Sequence, residues 1–209
     1  MSAVEAAVPA GFRAVPIPRS EQGPAPQRLV VAYGFWLFLL SDIILFSALF
    51  AAYAVLSGNT AGGPAGKALF NRPHVLVETA CLLFSSFTCG CMTLAIEMRS
   101  RRWMTAFAAA TALLGLAFLG LELSEFMELL ARGAGPSRSG FLSAFFALVG
   151  LHGTHVAFGL LWLAVMMAQA WTLGLRPFVM GRLLCFALFW HALDIVWIGV
   201  FTIVYLGAR

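Results

Sequence analysis

Five long stretches of almost unbroken apolar residues run through the chain, separated by short segments rich in arginine, glycine and proline. They extend from about Tyr33 to Leu56, Val75 to Ile96, Trp103 to Leu130, Gly140 to Trp171 and Leu183 to Leu206. Each exceeds the roughly 20 residues that an α-helix needs to cross a hydrocarbon core about 30 Å thick. The pattern predicts an all-α membrane protein, with five transmembrane helices in one domain over residues 29–209. Ahead of it, Pro9, Pro16, Pro18, Pro24 and Pro26 stand among scattered charges, without the apolar core of a cleavable signal peptide. Residues 1–28 therefore read as a disordered tail that stays on the chain.

Composition strengthens this picture. Of 209 residues, 61% are hydrophobic and only 11% charged, where a soluble domain carries about a quarter Asp, Glu, Lys and Arg. Most of the exterior must face something other than water. The net charge of +4 resides in arginines between the apolar runs, as at lipid headgroups, and gives no sign of nucleic acid.

An odd number of spans puts the termini on opposite sides. Arg13, Arg19, Arg28, Arg99, Arg101, Arg102, Arg176 and Arg182 share the N-terminal side, against Lys67, Arg72, Arg132, Arg138 and Arg209 on the other. Positive charge favours the cytoplasm, so the N-terminus is expected inside and the C-terminus outside. The loop "TAGGPAGK" ends in Gly66-Lys67 but has Ala61 and Ala68 where a phosphate-binding loop needs glycine and a hydroxyl, which excludes a nucleotide site. Cys81, Cys89, Cys91 and Cys185 lie within apolar runs. Cys89 and Cys91 point about 200° apart on a helix, so all four read as small buried residues.

The informative residues are ionisable groups within the spans, because each is expensive in lipid and faces protein or water. These are Asp42, Glu78, Glu122, Glu125, Glu128, His152, His155, His191 and Asp194, while His74 falls in a loop. Asp42, His191 and Asp194 lie about 12 to 17 Å from the N-terminal-side ends of their spans at 1.5 Å per residue. Glu78, Glu122, Glu125 and the two fourth-span histidines lie nearer the other side or at mid-depth. Two polar layers result, which hydrogen bonds between helices would explain economically. Glu128 is expected at the wet end of its helix, and Asp42 either sits between helices or relays protons.

His152 and His155, in "LVGLHGTHVAFGLLW", leave two readings open. With Glu122 or Glu125, or with His191, they could hold a metal or a heme. Alternatively, Gly150, Gly153, Thr154 and Gly159 let helices approach and the imidazoles fasten them together. The second needs fewer groups, and four histidines are few for a metal centre.

Taken together, "GFWLFLLSDIILF", "LELSEFMEL", "FLSAFFALVGLHGTHVAFG" and "FWHALDIVW" resemble subunit III of the heme–copper respiratory oxidases. They cover Gly34 to Leu206 in order on four helices. Five spans, with "TAGGPAGK" and "GPSRSGFLSAFFALVG", look like the quinol-oxidising branch of cytochrome o type. Short third subunits of cytochrome c oxidases are the alternative. The resemblance implies a non-catalytic subunit of a proton-pumping ubiquinol oxidase in a bacterial inner membrane. Heme and copper would belong to the catalytic subunit I on which it packs. This chain would hold no metal or other cofactor of its own, and its helices would retain phospholipid in a cleft. Asp42 matches the family carboxylate that reacts with a hydrophobic carbodiimide, where many relatives have glutamate. By the same resemblance Glu78, Glu122, Glu125, His152, His155, His191 and Asp194 are polar contacts of bundle and lipid cleft, with no catalytic step assigned. Two other classes compete: a membrane b-type cytochrome or metalloenzyme using His152 and His155, and a proton or solute carrier using Asp42 and Asp194. The carrier lacks the inverted repeat common in transporters.

Overall fold

A computed structural model describes residues 27–61 and 72–207. The proline-bearing segment 1–26, the loop 62–71 with Lys67 and Ala68, and residues 208–209 lie outside the described residues. Five helices follow one another: α1 (Gln27–Leu56), α2 (Arg72–Glu97), α3 (Arg101–Ala131), α4 (Gly140–Leu173) and α5 (Pro177–Val200). The chain then continues directly from α5 into a π-helical segment, Phe201–Leu206. Each helix, α5 taken with its π extension, is long and apolar enough to cross a membrane.

All the helices but α4 begin earlier than the apolar runs do. α1 starts six residues ahead of Tyr33, α2 three ahead of Val75 and α5 six ahead of Leu183. Hydropathy marks where side chains meet lipid, whereas the backbone keeps its hydrogen bonds into the polar interface. Proline suits such starts because its missing N–H lies in the first turn; Pro73 and Pro177 occupy those places. His74, expected in a loop, is therefore in the first turn of α2.

The ends are set by local chemistry. α3 stops at Gly133, whose φ of +70° allows Ala134 N–H to reach the Leu129 carbonyl at 2.9 Å. Arg99 takes the same left-handed place after α2, at φ +53°, and Ser100 N–H bonds Ala95 O. α4 opens on Ser139, whose hydroxyl accepts from Leu142 N–H at 3.2 Å. Its other end is held by Arg101, which donates to the carbonyls of Ala170 and Trp171.

α2 and α3 form the most intimate antiparallel pair; α5 packs on α4 and α2, α4 on α3, and α1 on α4 and α5. Half of the most apolar window of the α5–π span is buried, against 11% for α1. The core is correspondingly aromatic around α5, with Trp190, Trp197, Tyr205, Phe118, Phe145 and Phe186 almost fully enclosed. Outward stand Ile44, Phe87, Leu113 and Ile195, each about 70% exposed. Such surfaces aggregate in water and are at home in hydrocarbon. Cys89 is buried, but Cys81, Cys91 and Cys185 are only partly so, because their positions around α2 and α5 lie at the margin of the face that each helix turns to the core.

Candidate functional site

The polar side chains inside the bundle gather in three places, each built by the meeting of particular helices.

The first lies between α1 and α4. Asp42 faces His155, with Oδ1 3.9 Å from Nε2, and both side chains keep slightly under a fifth of their surface exposed. His155 Nδ1 lies 2.8 Å from the Leu151 carbonyl. Since a carbonyl only accepts, Nδ1 carries a proton and Nε2 is the atom turned to the carboxyl. Asp42 Oδ2 has no protein partner and borders a shallow apolar crevice of Leu39, Phe46, Phe189 and Leu193. Depth arithmetic put these two groups in different layers; α1 and α4 bring them together.

The second lies between α2 and α5. Ser86 Oγ is 2.7 Å from His191 Nδ1, and Asp194, one turn further along α5, lies against the same hydroxyl. Trp190 Nε1 donates to Ser85 Oγ at 3.0 Å, and Trp197 Nε1 to Thr79 Oγ1 at 3.1 Å. These indole and hydroxyl bonds are genuine interhelical fasteners. Sequence reading missed them because serine, threonine and tryptophan do not stand out in an apolar run as a charge does. Thr88 and Thr111 add a bond of 2.8 Å between α2 and α3.

The third lies where α2 begins and α3 ends. Glu78, Glu122 and Glu125 are 0%, 3% and 6% exposed. Glu125 accepts a hydrogen bond from Tyr205 of the π segment at 2.7 Å. His74 Nε2 lies 3.3 Å from both Glu78 Oε1 and the Leu121 carbonyl. Glu122 presses on α4 at Gly153, where a Cβ would come within 2.5 Å of Oε1. No larger residue fits there unless the carboxyl moves. Glu128, by contrast, is exposed and pairs with Arg132.

His152 belongs to none of these sets. It is fully buried, neither ring nitrogen has a hydrogen-bond partner, and its ring sits against Trp197 (5.0 Å), Phe118 (5.6 Å) and Phe46 (6.4 Å). Hydrogen-bonded fastening, expected of this residue, gives way to ring packing because the helices facing it present aromatics at that level. Thr154 is exposed and bonds its own helix at Gly150 O, so it joins no other helix of this chain. The small residues act as foreseen at Gly153 and Gly159; the latter lies under the rings of Trp190 and Phe189.

A heme or metal would need the imidazoles to converge on open space. His152 is walled by three rings, His155 is turned to Asp42, and His191 is engaged by Ser86. Among the described residues no three His, Cys, Asp or Glu side chains are placed to hold a metal ion. The two histidines, three residues apart, serve different neighbours.

The sequence pattern that defines the family described as cytochrome c oxidase subunit III matches residues 25–208. The chain belongs to that family. Among its relatives, the subunit III named cytochrome bo(3) ubiquinol oxidase subunit 3 in Pseudomonas aeruginosa is 56% identical over 174 residues, covering 83% of each chain. The protein of that name in Pseudomonas putida is 52% identical over 173 residues, 83% of this chain and 84% of the relative. A protein named cytochrome c oxidase subunit 3 in Bacillus sp. strain PS3 is 42% identical over 173 residues, 83% of this chain and 84% of the relative. The motifs around Asp42, Glu125, His155 and Asp194 all fall within the family match. As a subunit III, the chain is a multi-pass membrane component of a multi-subunit respiratory oxidase, and other oxidase subunits are its partners.

Proposed function

We propose that this chain is the non-catalytic third subunit of a proton-pumping heme–copper quinol oxidase, which oxidises ubiquinol and reduces oxygen to water. The likeness to ubiquinol oxidase third subunits along most of both chains carries the reading. The site geometry agrees with it: buried ionisable groups close on one another, on hydroxyls and on aromatic rings, rather than on a shared open centre. Chemistry at heme and copper belongs to the catalytic subunit I, against which this chain packs.

The role of this chain is mechanical. Its closely packed α2–α5 core presents apolar faces to neighbouring subunits and to lipid. α1, the least buried helix, leaves the Asp42 crevice open at its side, where its apolar lining would face the acyl chains of a retained phospholipid. Asp42 there is the carboxyl that a hydrophobic carbodiimide would modify. The excess of arginine on the N-terminal side supports a cytoplasmic N-terminus and a C-terminus on the periplasmic side of a bacterial inner membrane.

Isolation of the intact complex through an affinity tag on this chain tests the reading. Larger heme-bearing subunits and phospholipid should co-purify, and the complex should oxidise ubiquinol. Stoichiometric heme or metal on this chain, once separated from the others, would overturn it. Turnover with reduced cytochrome c in place of quinol would move the chain to the other branch, the one named for the Bacillus sp. PS3 relative.

A further inference from the structure

The carboxyl cluster at the α2–α3 end has no part in the mechanical role just described. Glu78 comes from α2, Glu122 and Glu125 from α3, and Tyr205 from the π segment, while Gly153 of α4 closes the floor. Glu78 lies within electrostatic reach of both other carboxyls. It is fully buried, and neither of its oxygens has a hydrogen-bond partner, nor has Glu122 Oε2. Exposed acidic clusters are solvated; this one is sealed, Glu78 Oε2 and Glu122 Oε2 have no donor, and Glu78 Oε1 faces only the His74 ring.

The charges facing it are few. α2 supplies His74, with Nε2 3.3 Å from Glu78 Oε1 and a side chain 29% exposed. α3 supplies Glu128, which is exposed and held by Arg132. The π segment supplies the Tyr205 hydroxyl, which donates to Glu125. α4 supplies Gly153 and, beside it, His152, whose ring is packed among Phe46, Phe118 and Trp197. Asp42 of α1 is committed to His155. Three carboxylates confined in a medium of low polarity repel, and a single imidazolium cannot neutralise them. Protons shared among the carboxyls remove the repulsion and provide the missing donors at the same time, since a protonated carboxyl has an O–H to give.

We propose that Glu78, Glu122 and Glu125 form a buried proton-binding site, filled through His74 from the membrane face at which α2 begins. The transfer is simple. Solvent protonates His74 at Nδ1, the Nε2–H bond breaks and an O–H bond forms at Glu78 Oε1, which leaves a neutral imidazole with its proton on Nδ1. Turning of the ring, or loss of that proton to solvent and re-protonation at Nε2, restores the starting form, with nothing oxidised or reduced. Glu122 and Glu125 then share that proton, with Tyr205 holding Glu125 in place. The site serves as a small proton store on one side of the complex. It depends on neither the electron donor nor the identity of the catalytic partner.

Infrared difference spectroscopy of the intact complex in lipid nanodiscs tests this, comparing wild type with E78Q, E122Q, E125Q and H74F. The expected result is a carboxylic-acid C=O band that shifts on transfer to D2O and is lost, wholly or in part, in each glutamine variant. H74F should keep the band but take up deuterium severalfold more slowly. Gly153→Ala, which crowds Glu122 without removing a carboxyl, should shift the band, so the test does not hang on assembly of the glutamine variants. A band unchanged in all three glutamine variants, or unmoved by Gly153→Ala, would overturn the proton-binding site. Deuterium uptake as fast in H74F as in wild type would overturn the route.

Discussion

His152 and His155 stand one turn apart on α4, yet they belong to two different regions of the molecule. His152 lies in the sealed interior made by α3, α4 and α5, against Phe118 and Trp197. His155 lies at the edge where α1 leans on the bundle, opposite Asp42 and beside an apolar crevice. Three residues on a helix are 60° apart in projection; that angle separates a face enclosed by protein from one still partly open. In the sealed region, polarity is absorbed by ring contacts and by bonds from indole and phenol groups. At the edge, a carboxyl and an imidazole are left to each other and to whatever occupies the crevice. Similar residues in similar sequence surroundings thus acquire a packing role in one place and an accessible one in the other.

Disruption should divide along the same line, and most severely inside. Trp197 stacks edge-on to Phe118 at 4.6 Å, lies 5.0 Å from His152 and 6.2 Å from Tyr205, and donates to Thr79. Trp197→Ala removes all four contacts and opens a cavity, which for buried tryptophan costs about 3–5 kcal/mol. The melting of the purified complex, followed by thiol-reactive dye reaching the buried Cys89, should move sharply downward. An unchanged transition would show that the sealed region is not what holds the helices together.

Tyr205→Phe is a finer cut at the same region. It keeps the ring and removes only the hydroxyl that donates to Glu125, leaving a buried carboxyl without that donor. Such losses cost about 1–3 kcal/mol. The same dye assay should report a smaller decrease than for Trp197→Ala. Tyr205→Phe melting at or above the wild-type temperature would mean that the carboxyl finds its donor elsewhere.

Both residues show what could and could not be read in advance. The five spans were legible because 20 or more apolar residues in succession have few other uses. The ionisable positions were legible for the same reason, as exceptions within those runs. Their partners were not. Hydropathy gives depth only coarsely, which placed Asp42 and His155 in different layers although they meet, and it gives nothing of the rotation of one helix against another, which hid Ser86 from His191. Tyr205 was invisible for a further reason. The chain leaves α-helical winding at Phe201, and the altered turn changes which side chain of the segment is brought to Glu125. Nothing in the pattern of apolar residues announces that change of winding.

At the edge, the expected effect is on endurance rather than folding. Asp42→Leu removes a carboxyl that already has one oxygen without a protein partner, in a place lined by apolar side chains. Oxygen consumption by the assembled complex should begin near the wild-type rate, because no electron passes through this chain. It should then decay faster during turnover, or the subunit should be lost more readily on washing. Immediate loss of oxidase activity in a complex with its full heme content would place Asp42 inside the catalytic machinery and dissolve the distinction drawn between the two regions.

The smallest effect belongs to Glu128, and it calibrates the rest. Glu122, Glu125 and Glu128 follow one another at intervals of three along α3, and the place of Glu128 near the end of the span is what sets it apart in the sequence. The first two point into the bundle, whereas Glu128 is 59% exposed and pairs with Arg132 one turn on, itself 53% exposed. Exposed pairs of this spacing contribute about 0–1 kcal/mol, and salt screens them. Glu128→Gln should therefore leave the dye-detected transition, the oxygen-consumption rate and the carboxyl infrared band all at wild-type values. If it weakens the complex as much as Tyr205→Phe does, then exposure in the isolated chain is not exposure in the assembly, and a neighbouring subunit must cover the end of α3.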